Sequence, residues 1–288
     1  MSVIAEEPSV RGVRGAQPVS LVRETAGGLA FLHDPALREA GVLVAFSERT
    51  GGVSTPPYDS LNLAAHTGDD PEEVDENRRL LLIALGLGGA TGLLSTAEQV
   101  HGELVVEVTP ALAGSGARAA AGRPPVPGAD ALLTLEHGVP LMLHYADCVP
   151  VVLVALSPVR AVAVAHAGWR GALAGLPGAA ARALAQRAGT APGELRAYVG
   201  PRIGVEDYEV SSGLAGAFGE RFGPSVVRGR RVDLGEAALA SLAEAGVDVA
   251  AAAVVPGSTA SETDRFFSYR ADGVTGRHAA VAALRGGL

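Results

Sequence analysis

The chain has 288 residues and a formal charge of −8, and 48% of it is hydrophobic but only 4% aromatic. That acidity speaks against a nucleic-acid or membrane-surface protein, which would favour a basic face, and a single cysteine excludes an internal disulfide framework. No apolar run approaches the roughly 20 residues of a membrane span, so a soluble cytoplasmic protein is expected, its core filled by small and branched side chains.

Residues 1–18 carry Glu6, Glu7, Arg11 and Arg14 and no uninterrupted apolar stretch. They read as a disordered tail rather than a secretion signal, followed by one domain over 19–288. Val42–Phe46 reads as a strand running into the loop 47–54 (SERTGGVS). Asp70, Pro71, Glu72 and Glu73 form a helix start, with a cap, a residue pre-set for the first turn and two charges that suit the dipole. That helix should stop at Gly86. Leu93–His101 and Glu103–Val108 read as strands joined at His101–Gly102, and Ala113–Gly128 as an exposed, mobile loop rich in Gly, Ala and Pro. Ala131–Thr134, Pro140–Ala146, Val151–Leu156 and Ala161–Ala165 read as strands, the last two apolar enough for burial on both faces. A helix is expected over Ala172–Arg187, a strand over Arg196–Val199, and helices near Ser212–Phe222 and Gly235–Ala245. Val247–Val255, Phe266–Tyr269 and His278–Leu284 complete the chain, the last fitting strand or helix. Strands and helices mix without strict βαβ alternation, which predicts one α/β (α+β) domain with mixed β-sheets.

Chemistry concentrates where apolar runs give way to turns. Cys148 lies in ADCVPV (146–151), His166 in HAGWRG (166–171) and His101 in QVHG (99–102). One thiolate and two imidazoles make a three-ligand zinc site with one position open, the arrangement of catalytic rather than structural zinc. The same residues also read as a small buried hydrophobe and two satisfied core histidines, or as a nucleophilic Cys148 with His166 as base. His144, four residues before Cys148, would share its side of a continuing strand and could be a ligand, a donor behind a ligand or a plain strand residue. Asp147 could orient a ligating imidazole or cap a turn. Asp130 has the same two readings, with the turn role favoured. Arg170 sits at a strand-to-helix junction flanked by glycines, a phosphate-site candidate that lacks the Lys-Ser/Thr ending of a P-loop. Arg49, before Gly51 and Gly52, is a second anion candidate. Trp169, Tyr198, Tyr208, Phe266, Phe267 and Tyr269 could stack on a planar base or fill the core.

Taken in order, the segments 46–54 (FSERTGGVS), 60–63 (SLNL), 66–70 (HTGDD), 76–79 (ENRR), 99–102, 129–132 (ADAL), 146–151, 165–171 (AHAGWRG), 200–204 (GPRIG), 208–210 (YEV) and 266–270 (FFSYR) resemble the laccase-domain family of YfiH-type, polyphenol-oxidase-like proteins. The resemblance implies a layered α/β sandwich, a catalytic Zn2+ on His101, Cys148 and His166, and phosphorolysis of adenosine, inosine, guanosine or methylthioadenosine with adenosine deamination in the same pocket. Purine nucleoside and phosphate are then the partners, with Arg49, Asn62 and Arg170 as substrate and phosphate candidates. His144, Asp147 and Glu98 are the candidates for proton transfer. Some members of the family are described as peptidoglycan-editing factors, and the laccase label implies copper oxidation. A lone cysteine without a His-x-His pair is unlike a multicopper ligand set. A zinc-stabilised binding protein is the non-enzymatic alternative. Arg202 and Ser258 stand where the family often has cysteines, and Glu48 and Thr50 alter the arginine loop.

Overall fold

The computed structural model describes residues 19–286; the tail expected over 1–18 lies outside the described residues. The strands are β1 (Val22–Ala26), β2 (Leu29–His33), β3 (Val42–Ser47), β4 (Leu104–Glu107), β5 (Ala129–Thr134), β6 (Leu141–Tyr145), β7 (Val149–Ala155), β8 (Ala161–Ala167), β9 (Arg196–Val199), β10 (Val227–Arg228), β11 (Arg231–Val232), β12 (Ala253–Val254) and β13 (His278–Leu284). The helices are α1 (Pro35–Glu39), α2 (Pro71–Ala84), α3 (Trp169–Ala174), α4 (Leu176–Ala188), α5 (Ser212–Phe222), α6 (Leu234–Glu244) and α7 (Tyr269–Asp272). An antiparallel sheet runs β1-β2-β3-β13-β6, a mixed sheet runs β12-β9-β7-β8-β5-β4, and β10 and β11 form a small ribbon.

Strand alternation builds four layers from these parts. Val44, Phe46, Leu141, Leu143, Ala280 and Ala282 of the first sheet meet Leu132, Val152, Val154, Val162 and Val164 of the second. The opposite face of the first sheet, with Leu43, Ala45, Met142 and Val281, packs on Leu81, Leu82 and Leu85 at α2. The opposite face of the second, with Val151, Leu153, Ala163 and Ala165, packs on α4, α5 and α6 through Leu184, Phe218 and Leu242. The domain is thus a layered sandwich of a mixed and an antiparallel sheet flanked by helices. His278–Leu284, ambiguous in sequence, is a central strand buried at every residue.

The expected start of α2 forms as read: the Asp70 carboxylate accepts from Glu72 N–H, with Pro71 in the first turn. Other boundaries differ for physical reasons. The helix expected over 172–187 is two helices, because Gly175 takes φ +82° between α3 and α4, a conformation that suits glycine. Leu93–His101 is not a strand. Only isolated bridges at Ser95 and Ala97 form, and Gln99 and His101 have φ near +60°, outside the β region. The hairpin of β1 and β2, unassigned in sequence, turns at Gly27 and Gly28, both with positive φ. The Ala113–Gly128 segment is exposed around its middle but tied down. Arg78 donates to the Gly116 carbonyl, Asp75 accepts from Ala119 N–H, and Val126 is buried.

Candidate active site

The alternation of β8 carries the site to one end of the sandwich. Val162 and Val164 face the layer between the sheets, and His166 continues that row where the sheets part. Cys148 immediately precedes β7, whose Val149 pairs with Ala167 of β8. His101 arrives from the turn before β4. One nitrogen or sulfur from each of His101, Cys148 and His166 lies within 4.8 Å of the others. The Cys148 Sγ to His101 Nε2 distance is 3.9 Å, close to the ~3.6 Å expected between S and N ligands of a tetrahedral zinc ion.

Asp130, read in sequence mainly as a turn residue, organises this cluster from β5. Its Oδ1 accepts from His101 N–H at 3.0 Å and lies 2.9 Å from His166 Nδ1, and its Oδ2 accepts from Gly102 N–H. The carboxylate thereby fixes the turn that carries one imidazole and the orientation of the other, leaving the second ring nitrogen of His166 for Cys148. Burial opposes charge on both members of the Cys148–His166 pair, but their mutual attraction outweighs it. His166 also has Asp130 and rises to about 9, while Cys148, with His101 beside it, falls to about 6. Asp130 is lowered despite its burial, by His166 and the Gly102 N–H. Gly168 leaves the space beside the cluster open, since a Cβ there would lie 2.7 Å from His101 Cδ2 and 3.1 Å from Cys148 Sγ. A thiolate, an oriented imidazole and a second imidazole converging within 4.8 Å of one another fit a metal ion, and the soft and borderline donors fit zinc.

Two cavities meet at the cluster. The larger, about 310 Å³, is walled by His66, Gln99, His144, Tyr208, Tyr269, Arg270 and Arg277 together with the three candidate ligands. The smaller, about 150 Å³, runs from His101 and Cys148 to Trp169, Arg170 and Leu234. A groove of about 530 Å³ elsewhere, against α2, contains none of these ligands. Arg170 is exposed and lies over the Trp169 ring, 4.3 Å from its centroid. Arg277 spends Nη1 on the Thr275 and Gly276 carbonyls and has no carboxylate within ion-pair distance among the described residues. Burial lowers its pKa, and together burial and Arg277 keep His66 below its ordinary value.

The remaining sequence candidates lie elsewhere or act differently. Arg49 donates to the Asp59 and Thr263 carbonyls and packs on Phe267, outside both cavity walls. Asn62 is fully buried; its amide donates to Asp69 and Thr67 and its oxygen accepts from Arg277 N–H, so it braces Arg277 from behind. Asp147 touches no imidazole. With φ +91° it turns the chain, and its carboxylate accepts from Thr259, Ser268 and Arg270 N–H, pinning the segment that carries Tyr269 and Arg270. Because β6 ends at Tyr145 and this turn follows, His144 and Cys148 reach one cavity without lying on one continuing strand. Glu98 accepts from Gly128 N–H and lies outside both walls. Sequence reasoning missed Arg277, Arg270 and His66 as wall residues. For Arg270 and His66 the signal was their place in the matched segments FFSYR and HTGDD; no segment marked Arg277.

Residues 43–285 match the family model described as multi-copper polyphenol oxidoreductase laccase. The chain is 36% identical over 252 residues to "Purine nucleoside phosphorylase YfiH" of Escherichia coli, spanning 85% of this chain and 94% of that protein. It is 38% identical over 256 residues to "Purine nucleoside phosphorylase YlmD" of Geobacillus stearothermophilus, spanning 85% and 91%. The crystal structure of YlmD from that organism superposes with a TM-score of 0.83 at 35% identity, covering 93% of this chain and all of that one. Sequence and fold agree: this chain is a member of the multi-copper polyphenol oxidoreductase laccase family, of the YfiH and YlmD kind.

Proposed function

We propose that this protein is a zinc-dependent purine nucleoside phosphorylase that acts on adenosine, inosine, guanosine and methylthioadenosine and also deaminates adenosine. The observation that carries the reading is the pair of cavities joined at the Cys148–His101–His166 cluster, each with an arginine in its wall. The larger one, at about 310 Å³, matches the low end of small-ligand sites and offers Tyr208 and Tyr269 as faces for a purine. The smaller leads to Arg170, whose guanidinium fork suits phosphate. The names of the relatives at 36–38% identity, purine nucleoside phosphorylases, support the phosphorolysis part of this reading.

In phosphorolysis a phosphate oxygen bonds to the anomeric carbon and the glycosidic C–N bond breaks. The electron pair leaves with the purine, which takes up a proton, giving free base and ribose 1-phosphate. Arg170 would hold the incoming phosphate, whose negative charge offsets the positive charge developing on the sugar. Arg277 would donate to the nucleoside from the wall of the larger cavity. In deamination water adds its oxygen to the purine carbon and ammonia departs. Zinc held by His101, Cys148 and His166 would supply a Lewis acid beside the reacting atoms. Asp130 keeps His166 in the ligating tautomer, and Asp147 keeps the Tyr269–Arg270 wall in place. The unpaired thiol suits a reducing cytoplasm.

The test is product analysis of purified, metal-replete protein given adenosine with and without phosphate. Adenine and ribose 1-phosphate that form only with phosphate are expected, together with some inosine. A folded, metal-loaded protein that forms neither product would overturn the assignment and turn attention to cell-wall precursors.

A further inference from the structure

Within that nucleoside reading, one wall residue of the larger cavity has its hydrogen-bonding role dictated by its neighbours. His144 on β6 is 5% exposed. The Gln99 side chain clasps its backbone in both directions: Nε2 donates to the His144 carbonyl at 2.8 Å and Oε1 accepts from His144 N–H at 2.9 Å. That pairing fixes which end of the amide carries the oxygen. The same Oε1 lies 3.2 Å from His144 Nδ1. An amide oxygen only accepts, so Nδ1 carries the proton. Burial, reinforced by nearby Arg78, His66 and Arg277, keeps the ring neutral by holding it well below its ordinary value. A neutral ring protonated on Nδ1 presents a bare lone pair at Nε2, and that atom is buried with no partner among the described residues. A buried acceptor left unpaired is costly, and the ring that carries it lines the ligand-sized cavity.

We propose that His144 is a specificity-determining residue whose Nε2 accepts a hydrogen bond from the nucleoside, donated by the exocyclic amine of the purine or by a ribose hydroxyl. The same tautomer removes His144 from the role of acid to the leaving base, because Nε2 has no proton to give. A site built to accept from a substrate donor rejects the analogue lacking it far more sharply than an apolar wall does.

The inference rests on the purine nucleoside reading, so wild-type phosphorolysis of adenosine is measured first. Its absence overturns that reading, while the tautomer is judged separately. Nitrogen-15 NMR of histidine-labelled wild-type protein, assigned with His144→Gln, should show a protonated Nδ1 and a bare Nε2 that responds to bound adenosine. A proton on Nε2, or an Nε2 indifferent to bound adenosine, overturns the proposal. His144→Phe should lower kcat/KM for adenosine at least about tenfold, mainly through KM, with wild-type metal content and Tm, and His144→Gln should recover part of the loss. The penalty should vanish with the one analogue that lacks the donor being read: purine riboside for the amine, or 2′-, 3′- or 5′-deoxyadenosine for a hydroxyl. No loss on adenosine, or an equal loss on all four analogues, contradicts it.

Discussion

Gly168→Ala tests how closely the backbone is fitted to the candidate metal cluster. The new Cβ would lie 2.7 Å from His101 Cδ2 and 3.1 Å from Cys148 Sγ. Carbon atoms pack at about 3.5–4.0 Å, so the imidazole has to retreat by at least about 0.8 Å. Gly168 has φ −69° and ψ 174°, which alanine adopts equally well, so the cost is one of contact rather than backbone strain. Overpacking of this kind costs about 1–3 kcal/mol. The exposed His101 yields more readily than the buried strands, so most of that cost should fall on the metal site, as a loss of about 10–100-fold in zinc affinity. The assay is chelator competition for zinc, with thermal unfolding and adenosine phosphorolysis measured on the same samples. Gly216→Ala in α5, where an added Cβ meets nothing within 4 Å, serves as the control and should stabilise the fold by about 0.5–1 kcal/mol. A folded Gly168→Ala protein with wild-type zinc affinity and kcat/KM would refute the geometry described for this site.

Asp130→Asn leaves a single acceptor oxygen where three N–H groups converge, so zinc affinity should fall about 10–100-fold, read by titration; unchanged affinity would remove Asp130 from its orienting role. Arg170→Ala should raise KM for phosphate far more than KM for nucleoside in initial-rate kinetics, and the reverse pattern would place phosphate elsewhere. Glu48 is buried between Arg23 and Arg265. Although burial opposes its charge, hydrogen bonds from Arg23 and Arg265 hold its pKa below the ordinary glutamate value. Its stabilising contribution is therefore complete above that ordinary value and is lost as pH falls through the lowered one. Glu48→Gln should cost about 1–3 kcal/mol in urea unfolding at neutral pH, with the gap from wild type closing in acid; a gap independent of pH would contradict the ion-pair origin.

The sheets and the three residues that cluster at their end were legible in sequence because apolar runs and strand-end motifs are local signals. β7 and β8 are buried on both faces and read as unbroken apolar stretches, and Cys148, His101 and His166 each stand at such a run's end. What was not legible depended on distant partners. Asp130 earns its role only because β5 pairs with β8 and sets it beside His166. Arg49 and Asn62 stand in glycine-rich and polar segments that look like ligand loops, yet they are consumed by carbonyls and carboxylates brought together in the fold. The positive φ of Gln99, His101 and Asp147, which aims the cluster, appears in non-glycine residues, where that conformation is uncommon.

The most direct measurement is X-ray absorption at the metal edge of the purified protein, paired with metal content of Cys148→Ser and His166→Ala. One sulfur near 2.3 Å and nitrogens at about 2.0–2.1 Å are expected at a zinc ion, with stoichiometry falling in both variants. A metal shell without sulfur, or variants that keep full stoichiometry, would contradict a catalytic centre built on His101, Cys148 and His166.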